Sequence, residues 1–353
     1  ASVESLSQAG DYVFLFPGTY SQNLTLKNNQ KLIGADENWL CTSGSTIRNA
    51  SGNSNFAGEL TLAANDTVRG IDFIKTGPSP FIALESRSSG GSIFIKDNNA
   101  SVGNLTMSNN TLTITSFARC GLAIRNGGNL NLSFDNMLIT GNNETSINLN
   151  NCNGNMLVST GSIVSTGDTL VNVKGGQISA TFNNSFSQPS DFPLLTVTDH
   201  TVGILTFQTG ALSATLGSGL QFNNADGNYN FNGTTTLNGG DAGIDIINGS
   251  NGNFTFLDAP ITNTSGVALL VNGGNGIISH TGAINKSTTG RMIDIHARTG
   301  GSVTVNGNLS STLISSGINV SSCTGGTVTF SGSNKTLNTP GNNPVNLTSN
   351  AGA

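Results

Sequence analysis

Apolar and polar residues alternate in short runs along this chain, and the runs recur. From Gly227 onward five segments begin at Gly227, Gly252, Gly276, Gly301 and Gly326, a period of 24 or 25 residues. Each segment holds three short stretches with an apolar residue at every second position. The first stretch supplies Tyr229 and Phe231, then Phe254 and Phe256, Val303 and Val305, Val328 and Phe330. The second supplies Leu237, Ile261, Ile284, Leu309 and Leu337. The third supplies Leu269 and Val271, Ile293 and Ile295, Ile318 and Val320, Val345 and Leu347. Gly, Asn, Ser and Thr fill the gaps, as tight turns require.

Period-2 runs this short predict strands and exclude helices. One such unit cannot bury its apolar face alone and must stack on its neighbours. The pattern predicts an all-β fold: a parallel β-helix with three strands per turn, right-handed because crossovers between parallel strands take that hand. Looser versions of the unit run upstream, as in GGNLNLSFDNMLITG and GILTFQTGALSATLGSGLQF. The whole chain, 1–353, reads as a single β-helix domain, irregular over 1–100 and most regular over 227–353. Val3, Leu6 and Ala9 are spaced for a short amphipathic helix that would cap the first turn. At the other end VNLTSNAGA follows with no capping helix or charged edge. This predicts that the solenoid continues in the natural gene and that the bare edge favours end-to-end self-association.

Residues 10–34, GDYVFLFPGTYSQNLTLKNNQKLIG, resemble the opening turns of right-handed parallel β-helices of the pectate-lyase-like superfamily. In that superfamily a GD-x-apolar-x-apolar-x-PG-x-Y segment precedes an apolar strand and an LIG strand. The later GGTVTFSG and GINVSSCTGG resemble the very large exported bacterial β-strand-repeat proteins. That resemblance implies a secreted or cell-surface, adhesin-like role. It does not choose among activities, because the superfamily hosts lyases, hydrolases, esterases, tailspikes and adhesins.

Composition narrows the choice. Charged residues make up 9% of the chain, and 14 Lys+Arg face 19 Asp+Glu with no basic cluster, which argues against a nucleic-acid surface. No apolar run is long enough to span a membrane as a helix. No His/Cys spacing resembles a zinc site, and no motif implies a cofactor. Cys152 and Cys323 read as small buried residues in equivalent turns, and the spacing leaves open whether Cys41 and Cys120 pair.

Candidate chemistry is sparse. Asp245 and Asp294 fall on the outward column of the third stretch, two turns apart with Leu270 between them. Two turns span about 9–10 Å, the edge of the range for an inverting carboxylate pair. Arg291 and Arg298 flank Asp294, and His296 is adjacent; a solvated surface ion pair is the plainer reading. In NDTVRGIDF, alternation turns Asp66 and Asp72 toward solvent around Arg69. His280 aligns with inward positions and is expected to be satisfied by an Asn or Thr. His200 and Asp199 do not by themselves make a metal site. Trp39, in the longest departure from the repeat, either stacks on a sugar ring or pins its loop to the solenoid. Asn230, Thr255, Ser279, Thr304 and Thr329 form an outward polar column. Together these point to a non-catalytic adhesin or structural stalk binding surface glycans or proteins through Trp39, Asp245, Asp294, Arg291 and His296. The alternative is a carbohydrate-active enzyme or binding module.

Overall fold

A run with one apolar face and no length can bury that face only as an extended strand in a sheet. The computed structural model describes residues 3–36, 38–40, 46–58, 60–63, 65–75, 93–95, 104–114, 122–125, 129–142, 145–312 and 315–351. Within them the runs become parallel strands stacked into a β-solenoid. Each strand from Ser185 onward bonds to the third strand after it, which makes three strands per turn. The chain divides into two compact units, 1–167 with 178–184, and 168–177 with 185–353.

In the second unit the expected columns stack in register. Tyr229, Phe254, Ile278, Val303 and Val328 are successive partners, as are Phe231, Phe256, His280, Val305 and Phe330. Leu269, Ile293, Ile318 and Val345 form a third column, with Val271, Ile295, Val320 and Leu347 beside it. The aromatic rings stack at the strand repeat, with Phe207–Phe231 and Phe231–Phe256 centroids both 4.9 Å apart and Tyr229–Phe254 4.8 Å apart. The second column holds from Leu237 through Ile261 and Ile284 to Leu309, but Leu309 then pairs with Lys335. Leu337 lies one inward step further on, opposite Ser311.

The first unit is built the same way. Val13, Leu32, Val68, Met107, Leu132 and Met156 are successive register partners. Strands Asn104–Ile114 and Asn129–Asn142 run through a corner and serve two sheets, with a register shift between Met107 and Asn110. Gly34 closes the LIG segment because a Cβ there would lie 1.6 Å from the carbonyl oxygen of Gly70. The departure after Gly34 carries an antiparallel hairpin, Trp39–Leu40 with Thr46–Arg48. The described residues include a helix, Val3–Leu6. It docks by polar bonds, Glu4 Oε1 accepting from the Thr25 N–H and Lys27 Nζ donating to the Glu4 carbonyl. Leu6 stays 73% exposed, so the expected apolar cap is a polar one. At the other end of the sequence, a cavity of about 710 Å³ lies over the inward residues of the last strands, and Leu347 is 67% exposed.

A regular feature marks the corner after the third strand. A left-handed residue stands there turn after turn: Asp199, Asn224, Asn248, Gly273, Ala297, Ser322 and Ser349. Left-handed residues also occupy Asn29, Asn65, Asn151 and Asn263. The reversal turns the next side chain inward. Gln30, Asp66, Cys152, His200, Ala225, Thr264, Arg298 and Cys323 each follow such a residue, and all are buried.

Three expectations about charged residues are corrected, those for Asp66 and Arg298 by that corner geometry. Asp66 is buried, not outward, with Oδ1 accepting the Gln30 N–H at 3.0 Å and Oδ2 the Ala63 N–H at 2.7 Å. Burial pushes its carboxyl up to about 6 against the pull of those two bonds. Asp72 is also buried, and its carboxylate accepts from Asn53 at 2.7 Å. Arg298 does not flank Asp294 on the surface. It points inward and donates to the Gly273, Gly276 and Gly300 carbonyls at 2.7, 2.5 and 3.0 Å. Cys41 and Cys120 lie outside the described residues, while Cys152 and Cys323 are buried.

Two predictions follow from the corners and the column. Ala297 is left-handed at φ 55°. That conformation costs an L-residue roughly 1–2 kcal/mol, against about 0.5–1 kcal/mol of extra chain entropy for glycine. Ala297→Gly is expected to raise stability by about 0.5–1 kcal/mol in chemical denaturation; a loss would show that the corner is not strained. His280 is fully buried, with Nε2 donating to the Ala259 carbonyl at 2.9 Å rather than bonding to Asn or Thr. Burial lowers its pKa from 6.5 to about 4, so between those values the unfolded chain binds a proton that the folded chain refuses. Stability from this residue is complete above pH 6.5 and falls toward pH 4. The stability of His280→Phe minus that of the native chain is therefore expected to rise as pH falls through that window. A gap independent of pH would refute the assignment.

Candidate functional site

The outer face of the third strands carries a column of polar residues in register. Gln221 pairs with Asp245, Asp245 with Leu270, Leu270 with Asp294, Asp294 with Asn319, and Asn319 with Asn346. Asp245 and Asp294 thus lie two turns apart with Leu270 between, as the repeat requires. Their surroundings differ. Burial pushes the Asp245 carboxyl up to about 6, with Asp241 adding to the shift and a hydrogen bond with Gln221 opposing it.

Asp294 sits at the centre of a polar network. Arg291 Nη1 donates to its Oδ2 at 3.2 Å, and Asn319 Nδ2 donates to its Oδ1 at 2.7 Å. Asn346 Nδ2 in turn donates to Asn319 Oδ1 at 2.6 Å. His296 Nδ1 lies 3.4 Å from Asp294 Oδ1 without the alignment of a hydrogen bond. The expected local ion pair is present, but Asp294 is only 19% exposed and Asn319 only 5%. Beside the column an open cavity of about 240 Å³ is lined by Arg291, Ser316, Ile318, Asn342, Asn343 and Asn346, among others.

The structure therefore brings Asp294, Arg291 and His296 together and leaves Asp245 two turns away. Trp39 belongs to the other unit, where its backbone pairs with Arg48 across the hairpin. Asn319 and Asn346 escaped the sequence reading, although aligning the segments puts both under Asp294. Lys286 escaped it too. It is buried, and its ammonium donates to the Thr264 and Gly266 carbonyls, the latter at 2.7 Å. Burial pushes its pKa down to about 8 while Asp241 opposes the shift. His200 is buried and tied to Tyr229, whose hydroxyl accepts from the Gly227 N–H and shares a hydrogen bond with His200 Nδ1 at 3.0 Å. Burial raises the Tyr229 pKa well above its ordinary value.

The chain matches no protein family, no curated protein and no solved structure. Among the described residues, no helix is long and apolar enough to cross a membrane. The chemistry of the face is thus read from its own geometry: a held carboxylate, a half-exposed guanidinium and several amides, a set suited to hydrogen-bonding a polar ligand.

The network sets an order of costs. Asp294→Ala strips the buried Asn319 amide of one of its two acceptors, leaving Ser321 Oγ at 3.0 Å, and is expected to cost about 1–3 kcal/mol. Arg291→Ala removes only a half-exposed partner and is expected to cost under about 1 kcal/mol. Denaturation midpoints decide it, and a larger loss for Arg291 would reverse the assignment.

Proposed function

We propose that this chain is a non-catalytic β-solenoid segment of an exported bacterial protein, acting at the cell surface or after secretion as an adhesive or stalk element that binds glycan on its third-strand face. The observation that carries the reading is the polar cavity beside Asp294, where Arg291, Ser316 and three Asn side chains converge. Both Asp294 oxygens already accept hydrogen bonds, which favours a binding role over nucleophilic or base chemistry. The residues that would contact ligand carry little net charge, in keeping with a polyhydroxylated partner. The repeat resemblance supports placement outside the cell.

A specific observation favours a second reading, a carbohydrate-active enzyme. Burial pushes the Asp245 carboxyl up to about 6, as a general acid needs, and a second carboxylate, Asp294, stands two turns away on the same column. One experiment separates the readings. Neutral and acidic oligosaccharides are titrated into the intact chain by calorimetry, and the mixtures are assayed for reducing ends and unsaturated products. The expected result is binding without turnover, weakened about tenfold or more in Asn346→Ala and Arg291→Ala. Turnover abolished by Asp245→Ala or Asp294→Ala would establish the enzyme and overturn the first reading. Binding unchanged in both cavity variants would remove the site.

A further inference from the structure

Where glycine follows asparagine, the glycine nitrogen can attack the asparagine side-chain amide, because no Cβ bars the approach. The second unit holds seven such steps. In most of them the attacking nitrogen is already engaged. The Gly233 N–H donates to the Phe207 carbonyl at 3.2 Å, Gly239 to Thr262 at 2.9 Å and Gly249 to Asn272 at 3.4 Å. Gly252 donates to Ala225 at 3.1 Å and Gly273 to His296 at 2.9 Å. Among the described residues, no carbonyl accepts from the N–H of Gly276 or of Gly307.

At Asn306–Gly307 the other half of the reaction is prepared as well. Asn306 is exposed at the corner after the first strand, with its N–H held by the His280 carbonyl at 2.8 Å. Its side-chain oxygen accepts from the Ser331 hydroxyl one turn on. No donor reaches the Asn275 side-chain oxygen among the described residues. The packing also fixes the glycine: a Cβ on Gly307 would lie 1.7 Å from the Gly282 carbonyl oxygen. Asn232 occupies the same corner three turns earlier and makes an internal control. There the Gly233 N–H is taken by Phe207, and the Asn232 side chain donates to Gln208 Oε1 at 2.9 Å.

We propose that Asn306–Gly307 is a self-modification site, where the folded chain deamidates without an enzyme. The Gly307 nitrogen gives its proton to water and bonds to Asn306 Cγ. The bond from Cγ to the side-chain nitrogen then breaks, ammonia leaves, and a succinimide ring is closed. Water opens the ring at either carbonyl to give aspartate or isoaspartate, so water is the only co-reactant. As the nitrogen adds, negative charge develops on the Asn306 side-chain oxygen, and the Ser331 hydroxyl is already donating to it. The product places a carboxylate beside Asn308, Ser331 and Ser333, on a surface of amides and hydroxyls. Isoaspartate also lengthens the main chain by a methylene, at a corner where the backbones of Gly282 and Gly307 already touch. One corner of the solenoid thus carries a slow, irreversible gain of charge. The site shares no residue with the Asp294 network.

The test is incubation of the intact folded chain at neutral and mildly alkaline pH. Peptide mapping by mass spectrometry follows each Asn–Gly step, and an isoaspartate methyltransferase assay marks the isomerised product. Asn306 is expected to convert about fivefold or more faster than Asn232, since attack there must first release a bonded N–H. It is also expected to outpace Asn275, and its rate to rise with pH because the deprotonated nitrogen is the nucleophile. In the urea-unfolded chain the Asn–Gly steps are expected to converge, which assigns the difference to the fold. Ser331→Ala is expected to slow Asn306 about threefold or more and to leave Asn232 unchanged. Ser331 is exposed, so its variant is expected to keep the native melting temperature. If it does not, the comparison of Asn306 with Asn275 in the native chain carries the same test. Equal rates at Asn306 and at Asn232 or Asn275 in the folded chain, a difference that persists in urea, or an Asn306 rate untouched by a folded Ser331→Ala would each overturn the proposal.

Discussion

Everything in this fold depends on parallel, in-register stacking at the strand repeat. Each backbone N–H and C=O within a strand is paired by the turn before or after it, so the main chain needs little help from side chains. The same spacing fixes which side chains touch. Phe207, Phe231 and Phe256 meet face over face because their strands do, at 4.9 Å for each step. A core this thin tolerates a chain that is only 35% apolar, since every inward residue is covered by its equivalents on the neighbouring turns. It also passes errors along: a residue that does not fit burdens two neighbours, not one.

Stacking fails at the corners, and the buried polar chemistry gathers there. A left-handed residue reverses the alternation, and the side chain that follows is driven inward. What occupies that position must satisfy corner groups that no strand reaches. Asp66 accepts two N–H groups, and Arg298 donates to three carbonyls. Ser250, which follows left-handed Asn248 and Gly249, accepts the Ala225 N–H and donates to the Ile247 carbonyl. Lys286 serves the corner after the second strand in the same way. Asp66, Lys286 and Arg298 thus spend their charge on backbone groups inside the solenoid. The outer ladders are left to Asn, Ser and Thr, which bond to their equivalents a turn away, as Asn253 does to Asn228 and Asn248 to Asn223.

This division explains what could be read from the sequence. Strands obey a period of two, so Tyr229, Phe254 and Val303 were legible as one inward column, and Asp245, Leu270 and Asp294 as one outward column. Corners obey no such period. Arg298 stands two residues from His296 and by alternation shares its face, yet left-handed Ala297 turns it inside. Asp66 is misread for the same reason, after left-handed Asn65. Leu337 is misplaced because the backbone register, not the nearest apolar residue, decides what lies under Leu309, and the register puts Lys335 there. At the candidate site, the ion pair of Arg291 with Asp294 was visible in their spacing. The burial of Asn319 among Asp294, Ser321 and Asn346 was not, because alternation places all of these on the outward face.

The repeat that makes the fold robust also makes its surface monotonous, and recognition needs a break in monotony. A ladder of identical amides offers a ligand no unique register. Among the described residues, two places that offer one are where the chain leaves the repeat. At one, corner residues Asn342 and Asn343 rise beside the third-strand face and turn a flat ladder into a cavity. At the other, the hairpin inserted after Gly34 carries Arg48 onto a strip of outward aromatics. Neither Arg291 nor Arg48 is needed by the core, in contrast to Arg298 and Lys286, whose donors are consumed by backbone carbonyls. Arg291 keeps a half-exposed guanidinium on Asp294 and Arg48 lays its own on the Phe14 and Phe16 rings, so each serves the surface at a departure from the repeat.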